Sequence, residues 1–220
     1  RDLKKVALRN IHRYLSLFIS IQFLLWTISG VFFSFNKIEE VRGEQYLLES
    51  KEKDFSINSP INVNSSGEIK FFYRLDDLVY EVNLGGSSYV YYQDGNPIAK
   101  LSFSEAKEII QTKTNLTPIS VGEISKNERG SEYRGRPLPL FKVESLNKDE
   151  KVINVYLDPY SGQIRAIRST QWRMWDFLWG LHIMDWTDRD NFNNNFIKFF
   201  SVLAFISALS GILLFFKTRR

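Results

Sequence analysis

Residues 14–35 read YLSLFISIQFLLWTISGVFFSF, and these 22 residues contain no charged side chain. At about 1.5 Å of rise per helical residue they cover roughly 33 Å, enough to cross a hydrocarbon core of about 30 Å. The stretch is therefore read as a transmembrane helix. Its polar atoms are mostly hydroxyls, which can bond back to their own helix. Ser16, Ser20, Thr27, Gly30 and Ser34 recur at three, four or seven residues and fall on one stripe, where a second helix can approach. A run this long is not expected as the buried core helix of a soluble domain.

Working outward, a second apolar run lies at 199–216, flanked by Lys198 and Lys217, whose long side chains can snorkel from its edges. Ala204, Ala208 and Gly211 repeat the small-residue device there, and Ser210-Gly211 echoes Ser29-Gly30. The two spans can pack as a hairpin or against a second copy of the chain. Mean hydropathy is only -0.23 and 25% of residues are charged, so most of the chain must face water.

Charge sets the expected orientation. Arg1, Lys4, Lys5, Arg9 and Arg13 precede the first span against Asp2 alone, and Lys217, Arg219 and Arg220 follow the second. The positive-inside rule puts both tails in the cytoplasm and the middle outside, at a bacterial inner membrane. Basic residues gathered at membrane edges argue against nucleic acid as a partner. With no cysteine, the middle folds without disulfides, and thiolate metal sites are excluded. The first span has no small-residue cleavage site after it and is expected to remain as an anchor.

The expected organisation is a basic tail (1–13), the first transmembrane helix (14–35), a connector (36–66), a strand unit (67–100), a helix-plus-strand domain (101–168), a Trp-rich interfacial helix (169–190), the second span (196–216) and a basic tail (217–220). In the connector a short helix is expected near Lys37–Val41, and Ser59-Pro60 and Asn64–Gly67 are loop signals. Segments at 69–74, 79–82 and 89–92, with turns at Asp76-Asp77, Gly85-Gly86 and Asp94-Gly95, predict four short antiparallel strands. At 101–114 the period changes: Ser102 or Ser104 can cap a helix burying Ala106, Ile109 and Ile110. Strands are predicted at 119–124, 139–145, 152–157 and 163–167, with Asp158–Gly162 turning between the last two. The fold class is a membrane α+β protein.

The helix followed by strands ending in YLDPYSGQI (156–164) resembles the PepSY domain. Together with NIHRYL (10–15), WTISG (26–30) and DFLWGLHIMD (176–185), it makes the chain similar to PepSY-associated transmembrane proteins over nearly its whole length. The resemblance implies an exported PepSY-like domain of antiparallel sheet plus helix between the spans. Larger relatives with four or more spans include siderophore-iron reductases that hold b-type haem with histidines. PepSY domains are also associated with inhibition of, or attachment to, exported proteins.

Only two histidines are present, His12 and His182, at opposite membrane edges. Hydrolysis lacks support, because the middle domain has no cysteine nucleophile and no histidine base for a serine. Electron transfer is the sharper expectation. The two imidazoles cannot share one iron within a monomer. In a twofold dimer each meets its symmetry mate, giving one bis-histidine b haem per leaflet. The competing class is a non-enzymatic module that docks an exported protein or peptide, using an open sheet edge. Trp172, Trp175, Trp179 and Trp186 define a helix face expected in the headgroup zone, with Trp175 and Trp179 as contact residues. The acidic residues Asp185, Asp188 and Asp190 show no ligand pattern and are read as solvated.

Overall fold

The structure is a computed structural model, and it describes residues 2–49, 68–84 and 87–218. The chain divides into two compact units, Arg1–Ile38 with Arg173–Arg220, and Glu39–Trp172. The loop signals at 59–60 and 64–67 and the Gly85-Gly86 turn lie outside the described residues.

The first unit is a helical hairpin. Helix α1 (Asp2–Phe35) runs continuously through the basic lead-in and the first apolar run, and α5 (Asn195–Thr218) carries the second. Both are long and apolar enough to cross a membrane, and most of their side chains are exposed on the protein's own surface. Exposed Leu17, Phe18, Ile21, Leu24, Ile28, Val202, Phe205 and Ile212 make sense only in an apolar medium. Between their first and last turns the backbone N–H and C=O groups are paired within the helices, as crossing a bilayer requires. The protein is thus a membrane protein with two candidate spans. Helix α4 (Thr170–His182) precedes α5 and brings Trp175 and Trp179 to this unit.

The second unit contains two antiparallel sheets. Strands β1 (Ile69–Arg74), β2 (Asp77–Leu84) and β3 (Ser87–Tyr92) form one, in the order β1-β2-β3. The expected fourth strand does not form among the described residues. After the Asp94-Gly95 turn the chain makes only an isolated bridge, Tyr91 to Pro97. That bridge is closed by Tyr92 N–H to the Asn96 carbonyl at 2.9 Å and Ile98 N–H to the Val90 carbonyl at 3.1 Å, and beyond it Ala99 turns its carbonyl to Arg74 Nη1 at 2.8 Å.

Helix α2 (Ile38–Arg42) falls where a short helix is expected. Helix α3 (Phe103–Lys113) begins with a capping box: Ser102 accepts from the Glu105 amide, and the Glu105 carboxylate accepts from the Ser102 amide at 2.7 Å. Its buried Ala106, Ile109 and Ile110 cover the second sheet, β4 (Thr117–Ile124), β5 (Leu140–Leu146), β6 (Val152–Leu157) and β7 (Ile164–Arg168), paired in chain order. The core between them is Phe141, Val143, Ile153, Val155, Leu157 and Ile167, all at most 3% exposed. Tyr133, Leu140, Tyr156 and Ala166 form a second layer on the sheet's other face. There Glu132 accepts from Asn154 Nδ2 at 2.9 Å and from the Tyr156 hydroxyl at 3.1 Å. Arg168 stacks over Trp172 at 4.2 Å; burial, with help from Arg136, pushes its guanidinium down to about 10.

The Asp158–Gly162 turn is built by its own polar groups. Asp158 Oδ1 accepts from the amides of Tyr160 and Ser161, and Oδ2 accepts from Arg165 Nη2 at 2.8 Å. Gly162 has φ +66°, and a Cβ there would lie 2.7 Å from Ile109 Cδ1, so only glycine lets the turn seat against α3.

Candidate functional site

The face of α1 that packs on α5 follows from which residues are covered. Ile19, Gln22 and Ser29 are buried, with Ser16, Trp26 and Phe33 half-buried beside them. His12, Ser16, Ile19, Gln22, Trp26, Ser29 and Phe33 recur every three or four residues, a 3.5-residue seam. On α5 the matching face carries Ser207 and Ser210, both buried. Ser16 Oγ meets Ser207 Oγ at 2.8 Å, and Phe18 stacks on Phe200 at 5.8 Å, so the helices run antiparallel.

Of the expected contact residues, Ser16 lies in this seam. Ser20 and Thr27 face outward and donate to their own helix, at Leu17 O and Phe23 O. Gly30 is half-covered, with nothing within 4 Å of a Cβ built there. Ala204 is half-buried, Ala208 is exposed, and Gly211 approaches His12.

His12 sits at one end of the seam. Its Nδ1 is 2.8 Å from Ser210 Oγ and 3.4 Å from Ser16 Oγ. A hydroxyl has one proton, and Ser210 gives its own to the Ser207 carbonyl at 2.8 Å. In the arrangement where Ser210 keeps its proton on that carbonyl, it accepts from His12 Nδ1–H, and Nε2 holds the lone pair. Gly211 makes the approach possible, since a Cβ there would stand 3.1 Å from His12 Cε1.

His182 repeats the arrangement about 25 Å away, judged from the rise between residues 12 and 29 of α1. Its Nδ1 lies 2.6 Å from Ser29 Oγ, and Ser29 donates to the Leu25 carbonyl at 2.7 Å. With the Ser29 proton on that carbonyl, His182 Nδ1–H is the donor and Nε2 again holds the lone pair. Trp26 Nε1–H donates to the His182 carbonyl at 2.7 Å. Trp26, Phe33 and Trp179 surround the imidazole at 5.7–6.4 Å between ring centres. Burial pulls the His182 pKa below its ordinary 6.5, favouring the neutral ring.

Trp175 and Trp179 are thus placed against α1 as well as at the surface of α4. Trp175 stacks on Trp179 at 5.4 Å, and Phe33 lies 5.3 Å from Trp175. On α4, Asp176 is buried and paired at 2.7 Å with Arg189, which follows the helix. Asp185 is a loop organiser: burial works against its charge, but the amides of Asn191, Asp190 and Asp188 outweigh it and hold its carboxyl below the usual range.

Neither Nε2 makes a hydrogen bond among the described residues, so each histidine presents one ring nitrogen without a partner there, and the two are too far apart to serve one atom. Among the described residues no group of three or more His, Cys, Asp or Glu could hold a metal ion. Reasoning from sequence missed Ser29, Ser207, Ser210 and Gln22 as seam residues. The available signal was the register counted from His12 itself. Gln22 is buried, and its Nε2 has no partner.

A helical hairpin with a histidine station at each end, interrupted by an antiparallel α+β domain, defines a two-span membrane protein with a water-facing middle. Residues 9–220 match the PepSY-associated TM region family, and the chain belongs to that family. Compared with curated proteins and with solved structures, the chain matches none.

Proposed function

We propose that this protein is an accessory component of a membrane redox or iron-acquisition system, in which two copies hold b haem between paired histidines. The observation that carries this reading is a shared geometry: a serine hydroxyl lies 2.8 Å from Nδ1 of His12 and 2.6 Å from Nδ1 of His182, and neither Nε2 has a hydrogen-bond partner among the described residues. A haem-ligating histidine needs a neutral ring, one free nitrogen and a fixed acceptor for the other. Both residues fit. When bound, the haem supplies a one-electron ferric/ferrous couple. The chain's own contribution is to orient each imidazole, favour the neutral ring at His182 by burial, and hold the two stations about 25 Å apart along the span. The tails are cytoplasmic in this reading and the middle domain is periplasmic, as the basic tails favour.

Full-length protein purified after expression with adequate haem supply should show a Soret band and run as a dimer. His12→Ala and His182→Ala should each remove about half of that absorption. Absence of pigment in the full-length protein defeats the proposal.

A second reading is favoured by a separate observation. In the middle domain a cavity of about 590 Å³ runs beside edge strand β3, walled by Tyr89, Tyr91, Pro137, Pro139 and Tyr160. A cavity of that size next to a sheet edge suits an extended segment of an exported partner. Copurification of a defined partner without pigment, lost on Tyr89→Lys, would favour this non-enzymatic docking role.

A further inference from the structure

We infer that Trp179 is a positioning residue that fixes the plane of the His182 ring; the inference deepens the haem reading and rests on it for its functional meaning. Two separate constraints act on this imidazole. Ser29, on α1, decides which nitrogen carries the proton. It does not decide how the ring is turned about the bond that joins it to the backbone side, because a single hydrogen bond tolerates a broad range of angles.

The neighbouring rings differ in what they can do about that rotation. Phe33 meets the imidazole at 62° with 5.7 Å between centres, and Trp26 at 50° with 6.4 Å. Tilted rings limit the available space and select no single plane. Trp179 lies within 4° of parallel to the imidazole at 6.3 Å. Offset parallel packing of this kind is a favoured aromatic geometry. Trp179 sits three residues before His182 on the same helix, so the two side chains lie on one helical face. It is itself held: Trp175 stacks on it at 12° and Phe192 at 16°. His12 has no aromatic ring contact of this kind among the described residues, and its niche is made of Ser16, Ser210 and Gly211. The two stations are therefore unequal, with a fixed plane at His182 and a looser one at His12.

In a twofold pair sharing one iron, turning each ring by some angle changes the angle between the two ligand planes by up to twice as much. The low-spin ferric signal in electron paramagnetic resonance depends on that angle, so it reports ring orientation directly. The test uses the full chain in nanodiscs with ¹⁵N-labelled histidine, as wild type, Trp179→Leu and Trp179→Phe. In haem-loaded protein, W179L should broaden and shift one of the two low-spin signals, with Soret intensity unchanged, and W179F should restore it. The signal from the His12 station should not move. In haem-free protein, W179L should broaden the His182 ring resonances relative to wild type, and W179F should sharpen them again. A W179L signal identical to wild type in both preparations overturns the inference. No pigment at all, with the nitrogen spectra behaving as stated, defeats the haem reading and leaves the positioning role standing.

Discussion

Removing a serine acceptor should act unequally at the two histidines. Ser29 is the one acceptor for His182 Nδ1–H, at 2.6 Å. Ser210 accepts from His12 at 2.8 Å, but Ser16 Oγ waits at 3.4 Å and can close in when Ser210 is gone. A hydrogen bond contributes a net ~0.5–1.5 kcal/mol, and 1.4 kcal/mol is a factor of ten. Ser29→Ala should therefore shift the His182 tautomer ratio toward Nε2–H by roughly 2- to 12-fold. Ser210→Ala should shift the ratio at His12 by well under half of that in free energy, because Ser16 replaces part of what is lost. With only two histidines in the chain, ¹⁵N spectra of histidine-labelled protein in nanodiscs resolve both ratios, each assigned by its His→Gln variant. The reasoning is refuted if S29A leaves the His182 ratio unchanged, or if S210A produces the larger shift. Either result would mean that the serine protons are not committed to the backbone carbonyls as the geometry requires.

Acid should loosen the hairpin through His182. Its folded-state pKa is depressed below 6.5, so its contribution to stability is full above that value and is lost as pH falls through the lowered one. Melting of the full chain should drop between pH 7 and pH 5, and His182→Gln should flatten that drop; Asp185, also depressed, acts only below its ordinary 3.8. Gly162→Ala must place a Cβ 2.7 Å from Ile109 Cδ1 at φ +66°, and should cost about 2–4 kcal/mol in denaturant titration of the middle domain. A loss below half a kcal/mol would show that the turn relaxes freely. Gln22→Leu removes an amide with an unpartnered buried Nε2 and should raise resistance to unfolding in detergent by about 1 kcal/mol. A destabilised Q22L protein would reveal a partner for that amide.

Much of this architecture was legible because the forces that set it are written into composition. Two charge-free runs have no stable home except lipid, and they became α1 and α5. The strands of the middle domain follow apolar and aromatic segments bounded by turn residues, and α3 starts at Ser102 because the capping partner Glu105 lies three residues on. The fourth strand of the first sheet stops after one bridge, since a turn pair predicts a reversal and says nothing about the ladder after it, where Arg74 takes the Ala99 carbonyl. The seam of the hairpin was harder to see. In lipid both faces of a helix are apolar, so hydrophobic period gives no direction, and small or hydroxyl residues become the guide. Ser20 and Thr27 fit that guide but satisfy themselves on their own carbonyls. Ser29 also bonds to its own helix, yet its second lone pair is taken by His182, a residue 153 positions away. Such a pairing depends on where α4 packs, which no local spacing encodes.

The unequal lengths of the two long helices carry one more consequence. Helix α1 has 34 residues and α5 has 24, or about 51 Å against 36 Å. A hydrocarbon layer of about 30 Å nearly matches the shorter rod and leaves the longer one with some 20 Å to spare. That surplus falls at the amino-terminal end, where Arg9 and Arg13 oppose burial. The opening turns of the chain therefore stand clear of the oil as a rigid post among the phosphates, with His12 near its base, half-buried against Ser210 and Gly211.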